Sequence, residues 1–281
     1  MKHKFTRDIL VTGAGGRLAQ RLVQAWRADP ADASIVTVSR EHAGDIRWSP
    51  GDTMDVLPHC DTIIALWGVT SGNAATLEAN SRLAETAHDL AIRLGARRVL
   101  HMSSAGVYGP GQDMTESATL PKPVTQYGQS KLRMEQRVAQ LADRGAMAHC
   151  CLRLANVVGA DSLAPALNGD RPACLDRFSN GQGPARSYIA PTMLMRVLDG
   201  LSALPPDKLP SVVNVAAQRP VAMADLLSAA GRQISWREAP QEAVQTVTLD
   251  VSRLASILPE VVLETDAKAM IDDFKRTNAG R

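Results

Sequence analysis

The sequence carries almost no net charge: 31 Lys and Arg stand against 29 Asp and Glu, leaving +2 over 281 residues. Its basic residues are scattered, and no long run of like charge appears. Composition therefore gives no electrostatic case for a nucleic acid or an acidic surface as partner. Long apolar runs are also missing, and no segment approaches the roughly 20 residues that span a bilayer. Residues 1–8 are polar and lack the apolar stretch and small-residue cleavage site of a signal peptide. The expected location is the cytoplasm. Cysteine is sparse. Cys60, Cys150, Cys151 and Cys174 form no CxxC pair and have no histidine cluster nearby, so no metal site is expected. Cys150 and Cys151 lie in an apolar run and read as buried free thiols. Internal repeats and low-complexity tracts are absent.

What is present is an alternation. Short apolar runs at residues 9–11, 34–38, 45–48, 62–66, 98–102 and 148–154 read as strands. Helical patterns lie between them, near residues 17–27, 74–94 and 126–144. Gly95 and Gly145 stand where helices commonly stop. Continuous apolar strands separated by amphipathic helices indicate an α/β fold, a doubly wound parallel sheet covered on both faces. Beyond Val157 the pattern loosens, and residues 160–184 read as irregular. A later strand at 212–215 and a helix at 223–230 follow. The expected division is a dinucleotide-binding Rossmann domain over residues 1–158 and a smaller α/β substrate-binding region over 159–281. That smaller region is interleaved with the last strands of the sheet.

The first strand meets its helix through Thr12-Gly13-Ala14-Gly15-Gly16-Arg17-Leu18-Ala19. Strand, glycine turn and helix in that order suit a pyrophosphate, because glycine admits close backbone approach and the helix start offers free N–H groups. Ala19 is small enough for helix-to-strand packing. The second strand ends at Ser39-Arg40, where an NAD site usually has an acidic residue. A guanidinium suits a 2′-phosphate, so NADP is preferred over NAD.

Tyr127-Gly128-Gln129-Ser130-Lys131 opens the last of these helices and puts phenol and amine four residues apart on one face. A cation beside a phenol favours the phenolate, and a phenol tuned toward neutrality exchanges a proton with a carbonyl or an alcohol. Ser103 and Ser104 end the fifth strand, where a hydroxyl can hydrogen-bond the reacting oxygen or simply serve the turn.

Together the loop, Ser-Ser-Ala-Gly-Val-Tyr-Gly (103–109) and Tyr-Gly-Gln-Ser-Lys (127–131) resemble the extended short-chain dehydrogenase/reductase family of nucleotide-sugar epimerases and dehydratases. Leu152 to Gly159, Glu78-Ala79-Asn80, Arg186-Ser187-Tyr188-Ile189 and Val213-Asn214-Val215 extend the resemblance over nearly the whole chain. It implies Tyr127 as acid/base, Lys131 on the nicotinamide ribose, and Ser104 orienting the substrate oxygen. By the same resemblance Gly13, Gly16, Arg17 and Leu18 cradle the pyrophosphate. Asp45 and Ile46 meet the adenine, and Leu66, Trp67 and Gly68 line the adenosine side. Asn156 and Arg186 are implied substrate contacts. The partner is a small carbonyl or hydroxy compound, a sugar derivative among the candidates. A homodimer is implied through the helices at 74–94 and 126–144, with Ala84, Ala87, Ala91, Leu132, Val138 and Leu141 either at that interface or in the core.

The chain also departs from the family. Trp67 stands where the family has a small residue, as one wall of the cofactor pocket or as core. Ser187 replaces an aspartate, and Ala190-Pro191-Thr192 replaces His-Val-Asp. The stretch from Asn156 to Arg186 is short, leaving little surface to enclose a nucleotide. The expected function is an NAD(P)-dependent oxidoreductase or epimerase. The alternatives are a nucleotide-sugar epimerase/dehydratase that retains its NAD and a non-catalytic dinucleotide sensor.

Overall fold

A computed structural model describes residues 7–29, 32–41, 43–145 and 147–278. Most of the polar opening segment thus lies outside the described residues. The chain begins with β1 (Arg7–Thr12), α1 (Arg17–Ala28), β2 (Ala33–Ser39), β3 (Ile46–Arg47) and β4 (Thr62–Ala65). It continues through α2 (Ala74–Leu77), α3 (Ala79–Leu94), β5 (Arg98–Met102), α4 (Gln126–Ala142) and β6 (Ala148–Leu154). A seven-stranded parallel sheet forms in the order β11-β6-β5-β4-β1-β2-β3, where β11 is Val212–Val215.

Sequence order reverses between β1 and β4. The chain winds outward through β2 and β3, then crosses back to β4, β5 and β6. That switch point opens a crevice at the carboxyl ends of β1 and β4. The strands there are buried on both faces, β4 and β5 along their whole length. Their unbroken apolar character follows from that burial.

The predicted strands and helices stand, with small changes at their ends. The helix read over 74–94 is divided at Glu78. Asn73 caps α2 by accepting from the N–H of Thr76 at 2.9 Å, and α3 then runs to Gly95, a left-handed cap. The larger difference lies in residues 160–184, which contain α5 (Ala164–Asn168) and β8 (Ala173–Arg177). β8 pairs in parallel with β13 (Ile234–Glu238), far along the chain, so nothing local announces it. The last third is not a detached lobe. β11 completes the main sheet, and α6 (Pro191–Ala203) packs on α1. A second buried cluster, including Val158, Leu163, Tyr188, Leu226 and Phe274, serves the smaller elements.

One buried polar network ties the ends of the site strands together. Ser103 donates to Glu135 Oε1 at 2.5 Å, and Arg153 donates to Glu135 Oε2 at 2.8 Å. The two charged side chains are only 6% and 7% exposed. The Arg153 guanidinium lies 4.6 Å from the centre of the Tyr108 ring, and the Tyr108 hydroxyl donates to Asn214 Oδ1 at 2.9 Å. The network thereby joins β5, α4, β6 and β11 beneath the loop that carries Ser104.

A buried charge left without its partner is costly. Glu135→Ala should therefore lower stability by about 3–5 kcal/mol, measured by urea unfolding. A loss below about 1 kcal/mol would show that the pair does not brace these strands.

Candidate active site

Gly13 ends β1 at φ +74°, in the left-handed region that favours glycine. A Cβ there would come within 2.7 Å of the Trp67 backbone nitrogen. The loop therefore lies directly against the end of β4. Gly16 caps α1 with no side-chain bond, and the first turn of α1 holds no acidic residue. Its first N–H groups and positive dipole end face the crevice, a fit for the pyrophosphate of a dinucleotide. Arg17 and Leu18 begin α1, Arg17 exposed and Leu18 half-buried against the core.

The crevice has a volume of about 610 Å³. Gly13, Gly16, Arg40, Leu66, Trp67 and Gly68 all line it. Asp45 and Ile46 are not among its lining residues. The Asp45 carboxylate instead accepts from the Thr37 N–H and hydroxyl at 2.9 and 2.8 Å, and Ile46 packs on the apolar cluster under β3. Their place at the crevice is taken by Trp48, Ser49 and Pro50, just beyond β3. Glu41, beside Arg40, also lines the rim. Trp67 is both wall and core. Its ring centre lies 6.2 Å from that of buried Trp48 while its edge lines the crevice.

The candidate reacting set, Ser104, Tyr127 and Lys131, assembles where the 3₁₀ turn at Ala105–Val107 meets the start of α4. Thr125 caps α4 by accepting from the Gly128 N–H at 3.0 Å. A Cβ on Gly128 would overlap the Gly106 carbonyl, so glycine is what lets these two backbones touch. That contact sets Tyr127 beside Ser104, whose hydroxyl hydrogen-bonds the phenol and also accepts from the Gly106 N–H at 3.0 Å. Ser103, the less favoured serine of the pair, is buried and bound to Glu135.

Lys131 is 3% exposed. Its ammonium donates to the Met102 carbonyl at 2.7 Å and lies 5.9 Å from the centre of the Tyr127 ring. A Cβ added to Gly68 would stand 3.3 Å from this nitrogen, so the amine comes up under the crevice lining. Asn80 fixes the same spot by accepting from the Val69 N–H and donating to the Val69 carbonyl, each at 3.0 Å. One expectation is corrected here. Burial pushes the Tyr127 phenol above its usual pKa, and the Ser104 bond only partly opposes that shift. With burial the larger effect, the phenol stands above its ordinary value in this structure.

The two implied substrate residues diverge. Asn156, in β7 (Asn156–Val157), hydrogen-bonds the Tyr188 phenol, which donates to Asp161 at 2.8 Å. Burial raises the Asp161 carboxyl to about 6. Arg186 is engaged within the fold, its guanidinium donating to the carbonyls of Ala185, Gln245 and Val244 at 2.7–2.8 Å. The six residues considered for a dimer interface fall mostly in the core: Ala84, Ala87, Ala91, Val138 and Leu141 are buried, and Leu132 packs against the main cluster.

Residues 9–197 match the NAD dependent epimerase/dehydratase family, and the chain belongs to it. A relative named ADP-L-glycero-D-manno-heptose-6-epimerase, from Pseudomonas aeruginosa, is 29% identical over 172 residues, 54% of this chain and 52% of that protein. The match thus spans about half the length of that relative. Among solved structures, UDP-glucuronic acid 4-epimerase from Bacillus cereus in complex with NAD superposes with TM-score 0.75 at 18% identity, covering 98% of both chains. ADP-L-glycero-D-manno-heptose-6-epimerase from Helicobacter pylori gives 0.76 at 18%, over 99% of this chain and 98% of that one. At such identities the likeness establishes the fold.

Burial draws Lys131 down to about 8. Between that value and its ordinary pKa near 10.4 the unfolded chain binds the extra proton, so stability rises with pH across the window. Below about 8 the whole penalty for the buried charge remains. Lys131→Met should therefore be more stable than wild type at pH 7, by up to about 3 kcal/mol, with the difference gone above pH 10.5. Urea melts at pH 7 and pH 10.5 measure it, and a destabilised variant at pH 7 would contradict it.

Proposed function

We propose that this chain is an NAD(P)-dependent oxidoreductase or epimerase that transfers hydride to or from a hydroxyl-bearing or carbonyl carbon of a sugar-derived small molecule. The observation that carries this reading is the convergence of Ser104, Tyr127 and Lys131, with the lysine directly beneath Gly68 of the crevice wall, on the same side as a glycine loop suited to a pyrophosphate. The dinucleotide supplies hydride acceptance and return when bound. Gly13, Gly16 and the start of α1 hold its phosphates, while Lys131 stands under the wall at Gly68. Ser104 orients the substrate oxygen, and the Tyr127 hydroxyl gives it a proton or takes one from it. A bound oxidised dinucleotide would supply positive charge that favours the phenolate, against the burial that raises the Tyr127 pKa. The named relatives act on sugar nucleotides, and the segment after Asn156 narrows the substrate toward a smaller member of that class.

Arg40 favours NADP through the 2′-phosphate, with Glu41 beside it as the group that would bind an unphosphorylated ribose. A homodimer in the cytoplasm completes the reading.

Tyr127→Phe should bind the dinucleotide as wild type does and lose turnover by about 10²-fold or more on a panel of sugar nucleotides and carbonyl sugars. Retained turnover would refute the assignment. By fluorescence titration, Arg40→Ala should weaken NADPH by about tenfold, the scale of one lost charged hydrogen bond, and leave NADH unchanged. Tighter NADH binding in wild type, weakened by Glu41→Ala, would instead assign NAD.

A further inference from the structure

Three histidines outside the reacting set are aligned in the interior. His88 on α3, His149 on β6 and His101 on β5 are 9, 5 and 1% exposed. Nδ1 of His88 lies 3.1 Å from Nε2 of His149, and Nδ1 of His149 lies 3.0 Å from Nε2 of His101. Both separations are hydrogen-bond distances. The ring centres are 5.2 and 5.3 Å apart, with planes tilted by only 23° and 18°. Rings whose nitrogens touch while their centres are that far apart meet edge to edge, not face over face. His149 uses both nitrogens, leaving Nε2 of His88 and Nδ1 of His101 as the two ends of one chain.

The inner end reaches the active site. A cavity of about 10 Å³ is lined by His101, Asn80, Met102 and Met134, among others, about the least room that one water molecule needs. Two of those residues also hold Lys131, through the Met102 carbonyl at 2.7 Å and the Met134 sulfur at 3.8 Å. The His101 ring thus borders a space walled by the two residues that hold the amine, and the Lys131 charge acts on the ring. The outer end, His88, lies on α3 and keeps a sliver of solvent contact.

We propose that His88, His149 and His101 form a proton relay linking the Lys131 amine, and through it the Tyr127 phenol, to solvent at α3. The proposal rests on the function given above. A neutral imidazole has one donor nitrogen and one acceptor. One N–H forms on each ring as the other breaks, so a proton crosses the chain, no electrons move, and each ring changes tautomer. A proton sent out while a hydroxyl is oxidised and returned while a carbonyl is reduced restores the tautomers without turning a buried ring. The titratable groups near the chain are Lys131 and Glu135 from α4 and Cys151 from β6. Burial, with mutual repulsion and the Lys131 charge, holds His101 well below its ordinary value. Burial and His88 draw His149 to about 4. His101 and His149 are therefore in the neutral, relaying form at pH 7.

Three well-satisfied core histidines would look the same at rest, so the test needs a substitution that keeps the hydrogen bonds and stops the transfer. Glutamine does both, since its amide donates and accepts but passes no proton. His149→Gln should keep its melting temperature, dinucleotide affinity and KM. Its kcat should fall by about tenfold or more, with a larger solvent deuterium isotope effect. His88→Gln, at the less enclosed end, should show the same pattern and serves if His149→Gln folds poorly. Active wild type with both variants within twofold of it and an unchanged isotope effect would overturn the relay alone. Wild type inactive on the whole substrate panel would overturn the proposed function and the relay with it. Independently of turnover, histidine-labelled protein should show nitrogen–nitrogen couplings across both hydrogen bonds by NMR, and their absence would overturn the relay.

Discussion

Everything at the centre of this molecule depends on one buried ammonium. Lys131 has almost no access to water, and its ammonium donates to a backbone carbonyl and a thioether. Such a group is stable only if its surroundings are held rigidly around it. They are. Met102 ends a strand buried along its length, and Asn80 pins the loop after β4 from both its N–H and its carbonyl. The Ser130 hydroxyl, next to Lys131, receives a further hydrogen bond from Asn80 at 3.2 Å. The lysine therefore costs stability and fixes geometry at the same point, the usual arrangement where strain serves function.

The same rigidity explains what the sequence reveals. Contacts made within a few residues are legible: Gly13 at a strand-to-helix turn, Tyr127 and Lys131 four apart, Gly95 as a cap. Each is dictated by local backbone geometry. Asn80 and Trp67 were visible as positions, though not as a clamp and a shared wall. Trp48, Ser49, Pro50 and Glu41 reach the crevice only because β3 pairs with β2, which no local pattern encodes. Asp45 shows the converse. Its place in the chain suits adenine, but Thr37 offers two donors close by and engages its carboxylate, which stays at the surface outside the crevice lining. Arg186 is diverted in the same way by three carbonyls.

The histidine chain is the extreme case of a non-local feature. His101 and His149 sit on adjacent strands, offset by two positions in register, and His88 comes from a helix packed over them. In sequence each is an isolated histidine, far from the other two along the chain, which usually marks a satisfied core group. Only the pairing of β5 with β6 and the descent of α3 bring their edges together.

The site divides by rigidity. The dinucleotide crevice and the reacting set stand on the ends of sheet strands and on the start of two long helices, where side chains have little freedom. The substrate side, after Asn156, is made of two-residue strands and a five-residue helix. Short elements are held by their neighbours more than by their own hydrogen bonds, so their geometry follows substitutions readily. Replacement of the family's aspartate by Ser187 fits that pattern, because the Ser187 hydroxyl accepts from the Leu249 N–H at 2.9 Å and is buried away from the crevice. The side chain at this position is a neutral hydroxyl that braces the backbone at Leu249.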